Sequence, residues 1–155
     1  MKPTRHNLLA LAALVTSLHG VPAAAQDRAP FMVGGIQAQS GTRASGYLEV
    51  PEGQDEGTRI PVTVIHGSRP GPVLGLIAGT HGYEYAPILA LQEVRAEVDP
   101  SELSGTLILV HVANLPSFLG RTIYYSPVDG ENLNRAFPGD PSGSVSDRIA
   151  FALTR

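Results

Sequence analysis

Between Ser45 and Val50 the chain reads Ser-Gly-Tyr-Leu-Glu-Val, and between Arg59 and Gly67 it reads Arg-Ile-Pro-Val-Thr-Val-Ile-His-Gly. β-Branched content and partial apolar/polar alternation are the period-two signal of strands, and the polar, Gly-rich stretch from Pro51 to Gly57 supplies turn chemistry between them. The pair predicts a β-hairpin. Pro70-Gly71-Pro72 then punctuates the chain, and Val73 to Ala78 form a short continuous apolar run that suits a strand buried on both faces. From Tyr85 to Val98 the apolar residues Ala86, Leu89, Ala90 and Val94 recur at three- and four-residue spacing, with Pro87 tolerable in a first turn, which predicts a helix. Gly105 to Asn114 is a second strand of the buried type. Val73 to Asn114 therefore reads strand, helix, strand: a βαβ unit with parallel strands.

Outside this frame the pattern weakens. Gln26 to Ser45 carries Gly34-Gly35, Gly41 and polar residues, and predicts an arm with at most a short strand. After Asn114, Pro116, Pro127, Gly130 and Pro138 interrupt a segment of little periodicity, which fits a site-forming loop better than a linker. Ser146 to Arg155 resembles the start of a helix with Ser144 or Ser146 near its cap. One βαβ unit and a hairpin are few elements for an open α/β sheet, so the expectation is the first half of a larger domain.

At the N-terminus Lys2 and Arg5 precede an apolar run from Leu8 to Leu18 that ends near Ala23-Ala24-Ala25, the pattern of a secretory signal peptide cleaved after Ala25. The run is roughly half the length a membrane-spanning helix requires, so no stable membrane anchor is expected. The division that follows is a signal peptide at 1–25, an arm at 26–45 and a domain portion at 46–155. The mature chain is expected to be exported, to the periplasm or the medium. Composition changes this picture in two ways. There is no cysteine, so no disulfide can assist folding in that oxidising compartment. The formal charge is −3 with the basic residues scattered rather than gathered in a stripe, which gives nucleic-acid binding no support.

Two constellations could carry chemistry. The first is His81-Gly82-Tyr83-Glu84, on the loop leaving the Val73–Ala78 strand, where open α/β sheets place their ligands. An imidazole and a carboxylate are zinc ligands at about 2.0–2.2 Å, and spacing of three residues within one turn lets both converge on one ion. Gly82 would free the backbone for that bend. The same residues also fit a plain turn in which Glu84 complements the helix N-terminus and His81 bonds a backbone group. The second constellation spans Arg121 to Asp140. Arg121 and Arg135 offer planar forks for carboxylates and Asn134 an orienting amide, while a polar loop held by Asx turns and surface ion pairs is, from spacing alone, the commoner account of a loop with two arginines.

Together, Gly-Thr-His-Gly-Tyr-Glu-Tyr, the strand end His-Val-Ala-Asn, and Ser-Pro-Val-Asp-Gly-Glu-Asn-Leu-Asn-Arg-Ala-Phe-Pro-Gly resemble the succinylglutamate desuccinylase/aspartoacylase family, a branch of the zinc carboxypeptidase superfamily. The likeness runs from about Gly46 to Gly139. It implies an α/β fold with a zinc-carboxypeptidase-like mixed or mostly parallel sheet, flanked by helices and incomplete in this chain. It further implies one zinc ion with His81 and Glu84 as its first two ligands, Asn134 and Arg135 binding the substrate carboxylate, and Arg121 polarising the scissile carbonyl. Asp129 and Asn132 would shape the loop.

The family's third ligand, a histidine, and its general base, a glutamate, lie further along than Arg155, so the zinc site is expected to be incomplete in these residues and the fragment alone inactive. Of the five histidines, His6 and His19 fall in the expected signal peptide, His66 ends a hairpin strand, and His111 reads as a packed core histidine rather than a substitute ligand. The implied function is hydrolysis of the amide bond in N-acyl amino acids. An exported metallocarboxypeptidase acting on peptides, or a truncated binding protein without catalysis, are the alternatives.

Overall fold

Hydrophobic period two at 45–50 and 59–67 becomes the spine of the fold in the computed structural model, which describes residues 28–155. The expected signal peptide, with Gln26 and Asp27, lies outside the described residues. The elements are β1 Phe31–Val33, β2 Ile36–Ala38, β3 Thr42–Val50, β4 Thr58–His66, β5 Arg69–Ile77, α1 Tyr85–Glu97, β6 Ser104–Val110, α2 Leu115–Gly120, α3 Leu133–Ala136 and α4 Val145–Thr154. The segment expected to be an arm with at most one strand holds the β1–β2 hairpin and the start of β3. Buried Ile36 and Ala38 pin that hairpin onto the core, a role their isolated positions in the sequence do not announce.

The main sheet runs β3-β4-β6-β5. β3 pairs antiparallel with β4 in unbroken register from Thr42 opposite His66 to Val50 opposite Thr58. β4 is antiparallel to β6, and β5 is parallel to β6 across α1, so the βαβ unit forms as expected and the sheet is mixed. One face packs Val50, Ile60, Val62, Val64 and Val110 against Leu133 of α3 and Val145 and Ile149 of α4; the other packs Ile65, Ala78 and Leu109 against Leu91 of α1. β4 is thus the strand buried on both faces.

For β5 that expectation fails. It lies at the sheet edge, with Val73, Leu74 and Ile77 each about half exposed. A continuous apolar run is buried on both faces only where layers cover both, and among the described residues none does so for β5.

At the other end of the chain, Ser144 caps α4 with a full capping box: its hydroxyl accepts from the Asp147 amide at 3.4 Å and the Asp147 carboxylate accepts from the Ser144 amide at 3.2 Å. Ser144, not Ser146, is the cap.

Two buried histidines link the sheet to pH. His66 Nε2 donates to the Ala29 carbonyl at 3.1 Å, leaving Nδ1 to accept from Thr106 Oγ1 at 2.8 Å. In His111, just past the end of β6, Nδ1 accepts from the Gln92 amide at 3.1 Å and Nε2 faces Thr63 Oγ1 at 2.8 Å. It is the packed, hydrogen-bonded core residue the sequence suggested. Burial, then Arg28, pulls the His66 pKa below the ordinary histidine value; burial, then Arg95, does the same for His111.

Between the ordinary and the lowered pKa the unfolded chain binds protons that the folded one refuses. Stability is therefore fully present above the ordinary histidine range, near 6.5, and is lost as pH falls below it. The thermal midpoint should drop between pH 7 and pH 5. A midpoint constant over that interval would contradict the buried neutral state of both rings.

Candidate active site

β5 ends at Ile77, and the chain then turns through Gly79, whose φ of 67° lies in the left-handed region that favours glycine. The Gly79 carbonyl accepts from the Asn114 amide at 2.9 Å and the Ala78 carbonyl from the Ala113 amide at 2.8 Å, so the loop after β5 and the loop after β6 are fastened side by side. This brings His81, Glu84 and the region beyond Asn114 to one end of the sheet. Gly82 acts here by size rather than by freedom. Its φ is not positive, but a Cβ at this position would collide with the backbone carbonyls of Ser117 and Thr122. The expectation that Gly82 supplies an unusual bend is replaced by one of close approach.

His81 and Glu84 do meet. Nδ1 of His81 lies 2.8 Å from Glu84 Oε1, and the His81 backbone amide donates to Glu84 Oε2 at 3.0 Å. Glu84 occupies the N-cap position of α1, yet its side chain makes no capping hydrogen bond; it folds back on His81 instead. The reading of Glu84 as a capping side chain is thereby displaced, although its charge still stands at the positive end of α1. Partial burial pushes its carboxyl pKa up, but the hydrogen bonds and charge interaction from His81 outweigh this and hold it below the usual glutamate value.

The other ring nitrogen finds a partner that the sequence reading assigned only to loop shape. His81 Nε2 sits 3.1 Å from Asn132 Oδ1, across 51 residues of sequence. Asn132 caps α3, and the same Oδ1 accepts from the Asn134 amide at 3.0 Å, which identifies that atom as the oxygen. The signal for it was local: Asn-Leu-Asn at a helix start is an Asx cap. The ring of Tyr124 stands edge-on to His81, with centroids 5.3 Å apart, and nothing in the sequence pattern pointed to that contact.

Both nitrogens of His81 therefore face oxygens that only accept, whereas a neutral imidazole carries one N–H. A second proton, or a metal ion between Nδ1 and Glu84, removes the mismatch. Imidazole nitrogen and carboxylate oxygen are a donor set that zinc takes, so these two residues fit the ion. Among the described residues no group of three or more His, Cys, Asp or Glu side chains comes together, so this set of donors goes no further than the His81–Glu84 pair.

The three remaining predicted residues are placed less tightly. Asn134 and Arg135 both lie on α3 and are exposed; Arg135 Nη1 reaches only the Asn134 carbonyl, at 3.4 Å. Arg121 closes α2 with a φ of 52°, a left-handed conformation uncommon outside glycine, and lines a surface groove with Tyr83, Tyr85, Phe118 and Leu119. Among the described residues no hydrogen bond or ion pair joins Arg121 to Asn134 or Arg135. The structure thus gathers His81, Glu84, Asn132 and, through its backbone, Asn134, and leaves the side chains of Arg121 and Arg135 exposed.

Comparison with known proteins identifies the fold and the family. Residues 70–155 match the model of the succinylglutamate desuccinylase/aspartoacylase catalytic domain. The chain is 43% identical over 115 residues to N-alpha-acetyl-L-2,4-diaminobutyric acid deacetylase of Halomonas elongata, an alignment that covers 71% of this chain and 33% of that protein.

Among solved structures, an aspartoacylase family protein from Mesorhizobium loti is similar at 32% identity and a TM-score of 0.68, over 82% of this chain and 40% of that one. The product-bound ectoine utilization protein EutE (DoeB) from Ruegeria pomeroyi is similar at 36% identity and a TM-score of 0.65, over 73% and 35%. The chain thus spans about a third of the length of the curated relative it matches. With the family model covering more than half of its residues, and the mixed sheet shared with the solved relatives, the chain belongs to the succinylglutamate desuccinylase/aspartoacylase family.

Proposed function

We propose that the polypeptide carrying these residues is an exported, zinc-dependent hydrolase that cleaves the amide bond of N-acyl amino acids. The observation that carries this reading is the His81–Glu84 pair, locked at 2.8 Å with the far ring nitrogen engaged by Asn132. Because Asn132 occupies Nε2, His81 Nδ1 and the Glu84 carboxylate are the atoms that would hold the ion, and Asn132 would fix the ring that presents one of them. Zinc held there supplies Lewis acidity toward an amide carbonyl and toward water.

The chain's other residues bind and orient. Asn134 and Arg135, adjacent on α3, would grip the substrate carboxylate, the fork of Arg135 taking both oxygens. Arg121 would donate to the oxygen of the scissile carbonyl, where negative charge develops. Its exposed position at the end of α2 leaves the side chain open to this role, while its left-handed backbone is that of a helix C-cap, closed by the Arg121 amide on the Phe118 carbonyl and the Thr122 amide on the Ser117 carbonyl. The relative from Halomonas elongata, a deacetylase of an N-acetylated diamino acid, supports N-acyl amino acids as the substrate class.

The test uses a polypeptide that completes the family length, assayed for zinc content and for hydrolysis of N-acetyl amino acids. His81→Ala should lose zinc on dialysis and reduce turnover by more than about 100-fold, as expected for removal of a metal ligand. Retention of both zinc and turnover in that variant would sink the proposal.

A further inference from the structure

We infer that Asp129 is a positioning residue of the candidate site: its carboxylate is the strut that anchors the loop before α3 to α4 and so sets Asn132 against His81. The role of this strut in zinc binding rests on the function proposed above; its role in placing Asn132 does not.

The loop is a closed unit. The Ser126 amide donates to the Glu131 carbonyl at 2.8 Å and the Gly130 amide to the Ser126 carbonyl at 2.9 Å, with Gly130 in the left-handed region at φ 73°. Asp129 sits at its tip with its two oxygens turned in different directions. Oδ1 accepts from the Glu131 amide at 3.1 Å, immediately before Asn132, and Oδ2 accepts from the Ser146 amide at 2.8 Å, in the first turn of α4. One side chain thereby connects the residue next to Asn132 with a helix packed on the core through Val145, Ile149 and Ala150. The far side of α3 is tied to the same helix, since Thr154 Oγ1 donates to the Pro138 carbonyl at 2.8 Å. α3, with Asn132 at its cap and Asn134 and Arg135 on its body, is bracketed between two attachments to α4.

Chemistry explains why an acid stands at this position. The first amides of a helix have no partner within it and carry the positive end of the helix dipole, so a carboxylate is held there more strongly than an amide or hydroxyl would be. A second carboxylate does the same without touching the site loop by hydrogen bond: Asp55, on the β3–β4 turn, accepts from the Val145 amide at 2.9 Å. The two acids share one helix end. They differ in what hangs from their other side, which makes Asp55 the control.

The experiment compares Asp129→Ala and Asp55→Ala in a 15N-labelled polypeptide that completes the family length, reading thermal midpoint, the imidazole nitrogen shifts of His81, and zinc affinity by titration on those shifts. Both variants should lower the midpoint. Only Asp129→Ala should move the His81 Nε2 resonance and weaken zinc, by about tenfold, the lower end of what loss of a ligand-orienting contact costs. If Asp129→Ala does not fold, Asp129→Asn, which keeps one oxygen acceptor, carries the same comparison with a smaller shift. An unmoved His81 Nε2 in the Asp129 variant, or an equal shift in the Asp55 variant, overturns the inference. Absence of zinc binding by the unsubstituted polypeptide of that length, with the Nε2 shift still specific to Asp129, would instead reject the metal reading and leave the strut standing.

Discussion

Arg135→Ala, made in a polypeptide that completes the family length, is expected to lower kcat/KM toward an N-acyl amino acid by an amount corresponding to about 2–5 kcal/mol, the cost of truncating one partner of a desolvated charge pair. The same substitution should cost far less toward an analogue that lacks the carboxylate. The reasoning is geometric. Arg135 is exposed on α3 and, among the described residues, its side chain makes one hydrogen bond, a long one to the neighbouring Asn134 carbonyl, so its fork is available to a ligand and its removal disturbs little of the fold. Steady-state kinetics on the substrate pair checks this. Equal losses for both compounds would make Arg135 structural and remove the clamp from the mechanism.

The second large effect is on stability. Arg148 is only 4% exposed, and among the described residues no carboxylate pairs with its guanidinium. It donates instead to four main-chain carbonyls: Pro51 at 3.2 Å, Gly143 at 2.6 Å, Asp55 at 3.0 Å and Glu56 at 3.3 Å. The β3–β4 turn is wrapped around this side chain so closely that a Cβ at Gly53 would come within 2.9 Å of Nη1.

Arg148→Ala strands several part-buried acceptors at once and should destabilise the fold by about 2–4 kcal/mol. Arg148→Lys should rescue little of this, because a single ammonium cannot reach carbonyls spread on both sides of a planar fork. Denaturant unfolding followed by circular dichroism measures both. A midpoint unchanged in the alanine variant would mean that water replaces the guanidinium without loss.

The parts of the site that the sequence made legible are those set by short-range chemistry. His81 and Glu84 are three residues apart, and the same turn that brings a helix out of β5 brings their side chains to 2.8 Å. The capping serine of α4 was narrowed to Ser144 or Ser146, and the Ser-x-x-Asp spacing to Asp147 settles it as Ser144. The hairpin of β3 and β4 follows from alternation and a polar turn, and the βαβ unit from two apolar runs around a helical period. In each of these the deciding contacts lie within one or two elements, where local geometry leaves few choices.

Sequence by itself determined the β3–β4 hairpin, the βαβ unit with β5 and β6 parallel, the start of α4, and which imidazole and carboxylate meet, because backbone period and turn chemistry act over a few bonds, whereas the β1–β2 hairpin and the short α2 and α3 lay in segments without such a period. Tertiary structure alone decided that β4 rather than β5 is the doubly buried strand, that Ile36 and Ala38 belong to the core, that Asn132 rather than a backbone group takes the far nitrogen of His81, and that Asp129 and Arg148 fasten loops to α4. Apart from the Arg148 bond to Gly143, those contacts join residues 17 to 97 positions apart where they are hydrogen bonds. Nothing in the periodicity of one segment encodes which distant segment will lie against it; that is settled only when the apolar faces of the whole sheet find their cover.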